Sequence, residues 1–314
     1  MAVYLMGRVV GGLVTLFCVS ALAFFATALA PGNPAAVLLG NLATPERIAT
    51  VTQQMGLDKP LPLRYAIWLR QVLEGNLGTS NLSFRPVNDL VLLALPPTLE
   101  MALLSLLLAV LVAIPTGLFL AQGKDSWWAR PLSGAVTLGI SVPGFWIGLL
   151  LILLFSVTFK LLPSGGYVPL TRSVSGNLRA MTLPVLTLAI YLIPALVRFV
   201  RITAATVLRE DYIDTARAKG VPPLRILLQH VAPNTLITTV TYIGLQLGVL
   251  ISGAIVVEVI FSIPGLGRLG MNAVLNRDYP VIQGVVLVAA TGYVLVNLTI
   301  DLAYSLIDPR IRSR

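Results

Sequence analysis

The chain has 314 residues, of which 56% are hydrophobic and 11% are charged, and its formal net charge is +9. Soluble proteins carry roughly a quarter charged residues, so this composition excludes a soluble enzyme and a disordered chain. The one cysteine, Cys18, allows no internal disulfide, and the one histidine, His230, leaves no metal-binding cluster. The sequence predicts an integral membrane protein without catalytic, cofactor-binding or metal-binding residues of its own.

Six apolar segments are candidates for crossing a bilayer, which takes about 20 apolar residues in a helix. In chain order they are 9–30, 101–122, 131–159, 183–197, 234–260 and 281–307. The first imitates a signal peptide, but it is longer than the usual apolar run of roughly 7–15 residues, so we expect it to stay as a span. Pro143 and Gly144 predict a kink in the third. The fourth extends to Val200 only if Arg198 snorkels to the interface. The sequence thus predicts an all-α protein with six transmembrane helices.

The basic residues are distributed unequally between the two sides of these spans. With the N-terminus in the cytoplasm, the short inner segments hold twelve of the 22 basic residues. Half of the outer ten lie in the long segment 31–100, which the positive-inside rule discounts. We therefore expect both termini in the cytoplasm, and the positive net charge indicates topology, with no nucleic-acid partner.

A polar segment separates the first two spans. Thr44, Pro45 and Glu46 predict the start of a short helix that reaches Met55. Residues 65–73 predict a second amphipathic helix. Both are too short for an independent domain, so we expect a small external cap. The predicted division is 1–95, the first transmembrane helix with this periplasmic cap, and 96–314, a core of five transmembrane helices.

One motif misleads. Residues 265–270 match the dinucleotide-binding pattern GxGxxG, but they follow a membrane span where that motif needs a strand. We interpret them as a turn, and no nucleotide site is evident elsewhere. If the protein moves a solute uphill, the energy is expected from another chain or from an ion gradient.

The longest inner loop, 198–233, carries six basic residues and a helical pattern. Residues 209–219 predict a short amphipathic helix that Gly220 caps. Pro222 and Pro223 predict the first turn of a second helix that runs to His230. Two short helices joined at a glycine indicate a rigid projection from the membrane, and an ordinary solvated loop is the alternative.

This loop resembles the EAA loop of bacterial ABC importer permeases, which docks into a groove on the ATPase subunit. The resemblance rests on Asp214, Thr215 and Ala216, followed at the family's spacing by Gly220 and Pro233. It departs from the pattern with Asp214 in place of glutamate and Thr215 in place of alanine, and also at His230 and Ala232. The resemblance implies an ATPase-coupling role for eight residues: Asp214, Thr215, Ala216, Arg217, Ala218, Lys219, Gly220 and Pro233.

Short stretches along the whole chain are similar to the B-type permease of the dipeptide, oligopeptide and nickel importer family. They are residues 56–61, 95–100, 141–146, 210–212, 216–220, 264–269, 277–281 and 308–312. The resemblance implies a type I ABC importer permease fold in a bacterial inner membrane. It also implies a C-type permease partner, two ATPases that hold ATP and Mg, and a periplasmic or lipid-anchored binding protein. Peptides are the expected cargo, with glutathione and nickel or metal chelates as alternatives.

Ionisable residues inside a membrane usually face a partner or a cavity. Glu258 lies at the edge of the fifth span, where it is a candidate for a gate, for a contact between subunits or for a structural polar role. Asp301 lies in the sixth span, one helical turn after Asn297, and the pair predicts a structural polar clamp.

The fifth span carries a polar stripe of Thr235, Thr239, Tyr242, Gln246 and Gly253, spaced to share one helical face. A polar face in lipid is unfavourable, so it lines either a cavity or a helix contact. We predict that Thr239, Tyr242 and Gln246 border the translocation path, with simple helix packing as the alternative.

A rival hypothesis is a secondary transporter driven by protonation of Asp301 or Glu258. It predicts uptake that is sensitive to uncouplers and no associated ATPase. An intramembrane enzyme is disfavoured because the spans carry no paired acid and base.

Overall fold

The computed structural model describes residues 2–30, 34–39, 43–54, 56–123 and 126–307. Within these ranges the chain is helical apart from its connections, and an isolated bridge between Thr79 and Pro86 is the only extended pairing. The helices are α1 (Ala2–Ala28), α2 (Pro34–Leu39), α3 (Pro45–Gln54), α4 (Leu61–Leu73), α5 (Val87–Gln122), α6 (Ala129–Ser141), α7 (Gly144–Leu151), α8 (Val174–Val207), α9 (Asp211–Ala218), α10 (Pro223–Ile226), α11 (Ala232–Ile260), α12 (Leu266–Leu275) and α13 (Tyr279–Ile307). The predicted all-α architecture is confirmed.

Four helices are long and apolar enough to cross a membrane by themselves, namely α1, α5, α8 and α13. Two bent pairs pass the same test when each is counted as one span: Ala129–Ser141 with Gly144–Thr158, and Pro223–Gly248 with Gly253–Ile260, so that the second bend lies within α11. The described residues then provide the six predicted crossings.

The third span is broken at the predicted proline. α6 ends at Ser141, Val142 and Pro143 are extended, and α7 starts at Gly144 at an angle of 104° to α6. Proline disfavours helix at the residue before it, which explains why the chain leaves the helix at Val142. A π-helical segment, Ile152–Thr158, completes the span.

The second and fourth spans are longer than hydropathy indicates. α5 begins at Val87 and α8 at Val174, well before the predicted starts at residues 101 and 183. Ser173 caps α8 by accepting a hydrogen bond from the Gly176 N–H at 3.1 Å. Glu100 precedes the predicted start on α5 and Arg179 that on α8, and both lie inside the helix, so a charged residue bounds the hydropathy signal without ending the helix.

Both predicted helices of the external segment are present. α3 starts at Pro45, where the Arg47 N–H donates to the Thr44 hydroxyl at 3.4 Å, and Met55 lies outside the described residues. α4 begins at Leu61, four residues earlier than predicted, because Pro60 and Pro62 suit a helix start.

The chain divides into two compact units, the first with residues 97–263 and 296–314 and the second with residues 3–96 and 264–295. In the first unit α8 packs against α6, α7 and α11. Its core is formed by large apolar side chains, among them Met101, Met181, Leu183, Leu192, Leu196, Leu250 and Phe261. The predicted division into 1–95 and 96–314 stays a prediction.

The second unit has its own core and aromatic contacts. Its core residues are Val87, Val91, Ala94, Leu266, Ala273, Val281 and Val285. On α1, Phe24 contacts Tyr65 and Trp68 of α4 at ring distances of 5.4 and 5.5 Å. Thr27 of α1 accepts a hydrogen bond from Gln283 of α13 at 2.6 Å. α1 is thereby tied to both α4 and α13.

In the first unit, the connection between residues 159 and 173 is fixed to the end of α11. The Gly166 N–H donates to the Phe261 carbonyl at 2.8 Å. The neighbouring Gly165 lies so close that a Cβ there would overlap the Phe261 carbonyl group. Because the obstacle is backbone, no rotamer change relieves it.

We expect Gly165→Ala to destabilise the protein by about 1–3 kcal/mol, as overpacking does in well-packed cores. The measurement is the apparent Tm of the purified protein in detergent. The control is Gly134→Ala on α6, where a Cβ meets no atom within 4 Å and alanine favours the helix. Equal Tm values for the two variants would contradict the close approach.

Candidate functional site

The segment between α8 and α10 contains the residues of the predicted coupling loop. α9 begins after Glu210, with Asp211 and Asp214 in its first turn and Arg217 in its last. These charges suit the helix dipole, and Arg217 Nη1 lies 2.9 Å from Asp214 Oδ1. The predicted short helix is therefore confirmed, with ends at Asp211 and Ala218.

Gly220 adopts the left-handed backbone conformation expected of a helix cap, with φ of +74°. Its N–H donates to the Arg217 carbonyl at 2.9 Å, and the Val221 N–H donates to the Ala216 carbonyl at 3.2 Å. Two carbonyls at the end of α9 are satisfied in this way. The predicted glycine cap is confirmed.

α9 is seated on the ends of three long helices through two buried residues, Ile213 and Ala216. They join an apolar cluster whose other buried members come from α5, α8, α10 and α11 and the π-helical residues between the last two: Leu118, Ala121, Val200, Ala204, Ile226, Leu227, Val231 and Ala232. Burying a side chain such as isoleucine contributes roughly 1.5–3 kcal/mol. The position of α9 is thus fixed by its apolar face.

The opposite face of α9 is exposed. The exposed residues include five of the predicted coupling residues: Asp214, Thr215, Arg217, Ala218 and Lys219. Ala216 is the exception, since it faces the cluster just described. The exposed face is therefore a polar surface of mixed charge, held in one orientation.

The second helix of the loop does not end at His230 as predicted. α10 passes through a π-helical segment, Leu227–Val231, straight into α11. Pro233, which lacks an N–H, lies within this continuous helix. Its missing N–H would have paired with the Gln229 carbonyl one turn earlier, within the π-helical segment. The neighbouring His230 carbonyl accepts a hydrogen bond from Asn234 Nδ2 at 2.7 Å. Residues 198–207 are likewise helical, so the true connection between α8 and α10 is 208–222 with α9 inside it.

Tyr212 links α9 to the start of α11. Its hydroxyl accepts a hydrogen bond from Asn234 Nδ2 at 3.3 Å, and its ring lies 6.5 Å from that of His230. Partial burial, with a smaller effect of the negative charge of Glu210, raises the pKa of the Tyr212 hydroxyl. Both effects disfavour the phenolate, the charged form of this side chain.

The polar stripe of α11 lies against neighbouring helices of the first unit. Thr235, Thr239 and Gln246 are buried, and the Thr239 hydroxyl donates to the Thr235 carbonyl at 2.7 Å. The Tyr242 ring stacks on Phe199 of α8 at a centroid distance of 4.1 Å. This placement favours the packing alternative, and the path role of Thr239, Tyr242 and Gln246 stays a prediction.

Glu258 is fully buried within the first unit. Thr98 of α5 donates a hydrogen bond to Glu258 Oε1 at 2.6 Å. Burial of a carboxyl group without such a donor is costly, so this bond stabilises the contact between α5 and α11. Asn297 lies half-buried on α13, and the side chain of Asp301 lies outside the described residues, so their predicted clamp stays a prediction.

Sequence reasoning missed two other polar contacts. In the second unit, Ser80 and the Asn81 N–H donate to the buried carboxylate of Asp278, at 2.5 and 3.1 Å. In the first unit, the Tyr167 hydroxyl donates to Glu100 Oε2 at 2.8 Å. Asp278 belongs to residues 277–281, one of the stretches that resemble the permease family. Nothing in the sequence indicated that its partners are Ser80 and Asn81.

The misleading motif at 265–270 coincides with a helix start. Gly265 is the last extended residue before α12, which begins at Leu266. No strand precedes it in the described residues, since Phe261 directly follows α11. No group of three or more possible metal ligands occurs among the described residues either.

The fold is that of an ABC importer permease. The chain resembles a solved methionine ABC transporter in an inward-facing conformation, with a TM-score of 0.60 over 70% of this chain and 96% of that one. Sequence identity to that structure is 18%, so the likeness concerns the fold alone.

The particular family follows from sequence. Residues 113–313 match the model of the binding-protein-dependent transport system inner membrane component, and residues 1–102 match the corresponding N-terminal model. The chain belongs to this family of ABC importer permeases, as the resemblance predicted.

Two relatives align over nearly their full length. A probable peptide ABC transporter permease of Sinorhizobium fredii is 38% identical, covering 99% of this chain and 100% of that protein. A glutathione transport system permease of Salmonella choleraesuis is 40% identical, covering 98% of both chains.

Tyr167 generates a prediction for alkaline pH. Burial, the hydrogen bond to Glu100 and the charge of Glu100 raise its pKa from 10.0 to about 12. Because the folded-state pKa is the higher one, the contact contributes fully to stability below pH 10 and is lost as the pH rises through about 12. We expect the near-ultraviolet absorbance titration to show one tyrosine ionisation near pH 12. This ionisation should be missing from the titration of Tyr167→Phe. In Glu100→Gln this tyrosine should ionise at lower pH, and an unchanged titration in both variants would contradict the contact.

Proposed function

We propose that this chain is one of two permease subunits of an ATP-driven importer. Its partners are a C-type permease, two ATPases that bind ATP and Mg, and a periplasmic or lipid-anchored binding protein. The observation that carries the proposal is α9, whose polar face is exposed while Ile213 and Ala216 anchor it. Such a face suits docking to another protein, and the family membership supports an ATPase as that protein.

The proposed mechanism is alternating access. Closure of the ATPases displaces α9, which rests on the ends of α5, α8 and α11. Since interfaces of this kind move as packed bodies, the displacement rocks those helices together. The outward-facing state receives solute from the binding protein, and ATP hydrolysis restores the inward-facing state.

The proposed cargo is a small peptide, with glutathione included in that class. The support is that the full-length relatives are described as peptide and glutathione permeases. Nickel and metal chelates remain the alternative. Uptake of a labelled tripeptide, with labelled nickel measured in parallel, separates the two.

The proposed orientation places both termini in the cytoplasm of a bacterial inner membrane. The support is the excess of basic residues in the short segments on that side, including Arg209, Arg217, Lys219 and Arg225 around α9. The C-terminal residues 308–314 lie outside the described residues.

The coupling role predicts a specific cross-link. Cys18 is the only cysteine, so Cys18→Ser gives a cysteine-free background. Thr215→Cys, on the exposed face of α9, should form a cross-link to a co-expressed ATPase subunit with a short bifunctional thiol reagent. Ser175→Cys, exposed at the other end of α8, is the matched control and should form none.

The cross-link is expected to vary with ATP and to block uptake. The same cross-linking yield at both positions, or none at Thr215→Cys, would contradict the coupling role of α9. Robust ATP hydrolysis by this chain alone would contradict the proposal that only the ATPase subunits hydrolyse ATP.

The translocation path is proposed to border Thr239, Tyr242 and Gln246 when α8 and α11 move apart. In the cysteine-free background, Gln246→Cys should react with a membrane-impermeant thiol reagent at least tenfold faster in one transport state, with or without ATP and vanadate. Leu245→Cys, on the exposed apolar side of α11, is the control and should stay unreactive in every state. Absence of reaction at Gln246→Cys in all states would leave only the packing alternative.

A further inference from the structure

A cleft of about 590 Å³ lies between α6 and α8 in the first unit, at the end of α8 that leads to α9. The transport mechanism proposed above does not use it. Side chains of α5, α6 and α8 line the cleft, together with Arg209. They include three arginines, the hydroxyls of Ser133, Thr137 and Thr206, and the apolar residues Ile140 and Ile202. The cleft therefore combines basic, hydroxyl and apolar side chains.

Three arginines give the cleft its charge. Arg198 and Arg201 lie one turn apart on α8, and Arg209 lies just beyond its end. Arg201 Nη1 donates to the Ser133 hydroxyl of α6 at 2.9 Å, which holds this guanidinium at the cleft. None of the lining residues is acidic. Two ion pairs described elsewhere in the chain, Arg70 with Glu74 and Arg217 with Asp214, do not involve these arginines.

Three clustered guanidinium groups without a carboxylate repel one another and favour an anion. Guanidinium groups bind phosphate through paired, charge-assisted hydrogen bonds. The hydroxyls of Ser133, Thr137 and Thr206 lie in the same lining and are suited to the remaining phosphate oxygens. The chemistry of the cleft is that of a phosphate site.

The apolar part of the lining indicates where the phosphate comes from. Ile140 and Ile202 are 46% and 59% exposed, so the cleft presents bare aliphatic surface beside its arginines. A free phosphate ion does not bury such an apolar surface, whereas the acyl chain of a lipid does.

The depth of the cleft in the membrane also favours a lipid as the source of the phosphate. Trp127 and Trp128 precede α6 and are 85% and 38% exposed. Tryptophan is enriched where headgroups meet the hydrocarbon, which places this end of α6 at that depth. Ser133 follows one to two turns further along the helix.

We propose that this cleft binds an anionic phospholipid. The phosphate lies against Arg198, Arg201 and Arg209, and one acyl chain covers Ile140 and Ile202. Basic pockets between transmembrane helices are known to suit such headgroups. The lipid fills the space between α6 and α8 and thereby supports the packing of the broken span on α8.

The test is lipid retention by the assembled importer, reconstituted in nanodiscs of equal phosphatidylglycerol and phosphatidylethanolamine and released for native mass spectrometry. The variant is Arg198→Gln with Arg201→Gln. The matched control is Arg172→Gln with Arg179→Gln, two exposed arginines near the other end of α8. Each basic residue near an anionic surface contributes about a fivefold preference, so we expect the variant to lose preference for phosphatidylglycerol by about tenfold or more and the control to keep it.

A second readout locates the lipid. Brominated phosphatidylglycerol should quench the fluorescence of Trp127 and Trp128 more strongly than brominated phosphatidylethanolamine, in a Trp68→Phe, Trp146→Phe background. The difference should disappear in the Arg198→Gln, Arg201→Gln variant. This readout does not depend on transport, so it separates failure of the lipid site from failure of the importer function.

Three results would overturn the proposal. One is equal retention of phosphatidylglycerol by the variant and the control. Another is displacement of the lipid by millimolar inorganic phosphate, which would make the cleft a site for a dissolved anion. The third is protection of a cysteine at Thr137 by an added ATPase subunit and not by phosphatidylglycerol, which would make it a protein interface.

Discussion

Within lipid, a backbone N–H or C=O group that leaves a regular helix must find a partner inside the protein, because no water is there to replace it. Two irregular segments among the described residues meet that requirement, one through a local contact and one through a distant one. After the break at Pro143, the Trp146 and Ile147 N–H groups return to the Pro143 carbonyl at 3.0 and 3.3 Å. The Phe261 carbonyl at the end of α11 accepts from Gly166. The break and the anchored connection are therefore compatible with a membrane environment.

A second constraint shapes the surface proposed to meet the ATPase. A short helix such as α9 is marginal on its own, so its position depends on tertiary contacts. Ile213 and Ala216 provide these contacts on one side, and the other side is left for charged and hydroxyl groups. The buried face that fixes α9 and the exposed face proposed for recognition thus lie on opposite sides of two helical turns, and substitutions on one face need not disturb the other.

Much of the fold could be predicted from the sequence, because span locations follow from hydropathy and helix ends from capping residues. The glycine cap at Gly220 and the break at Pro143 belong to this predictable part. The angle of 104° between α6 and α7 could not be predicted, because it depends on the side chains around the break. Gly144 lies against Tyr191, and Gly148 lies against Thr187 and Phe261. These are tertiary contacts without a local signature.

The polar residues of the candidate sites were harder to predict for a related reason. A buried carboxyl group in a span indicates that a partner exists, but the partner of Glu258 is Thr98, 160 positions away in the chain. Asp278 and Ser80 are separated by 198 positions. Periodicity showed that Thr239 and Gln246 share a face of α11, yet it carries no information on which helix faces them. For the same reason a single sequence left both a cavity and a helix contact open.

The uninterrupted passage from α10 into α11 has a mechanical consequence. From Pro223 to Gly248 the helix is one rod of about 39 Å, at 1.5 Å per residue, with a π turn near its start. A rod of this kind transmits torque, whereas a loop at His230 would have dissipated it. The bend in this span lies further along, with 54° between Pro223–Gly248 and Gly253–Ile260. The change of direction in α11 therefore falls within the apolar part of the span and not at the joint beside α9.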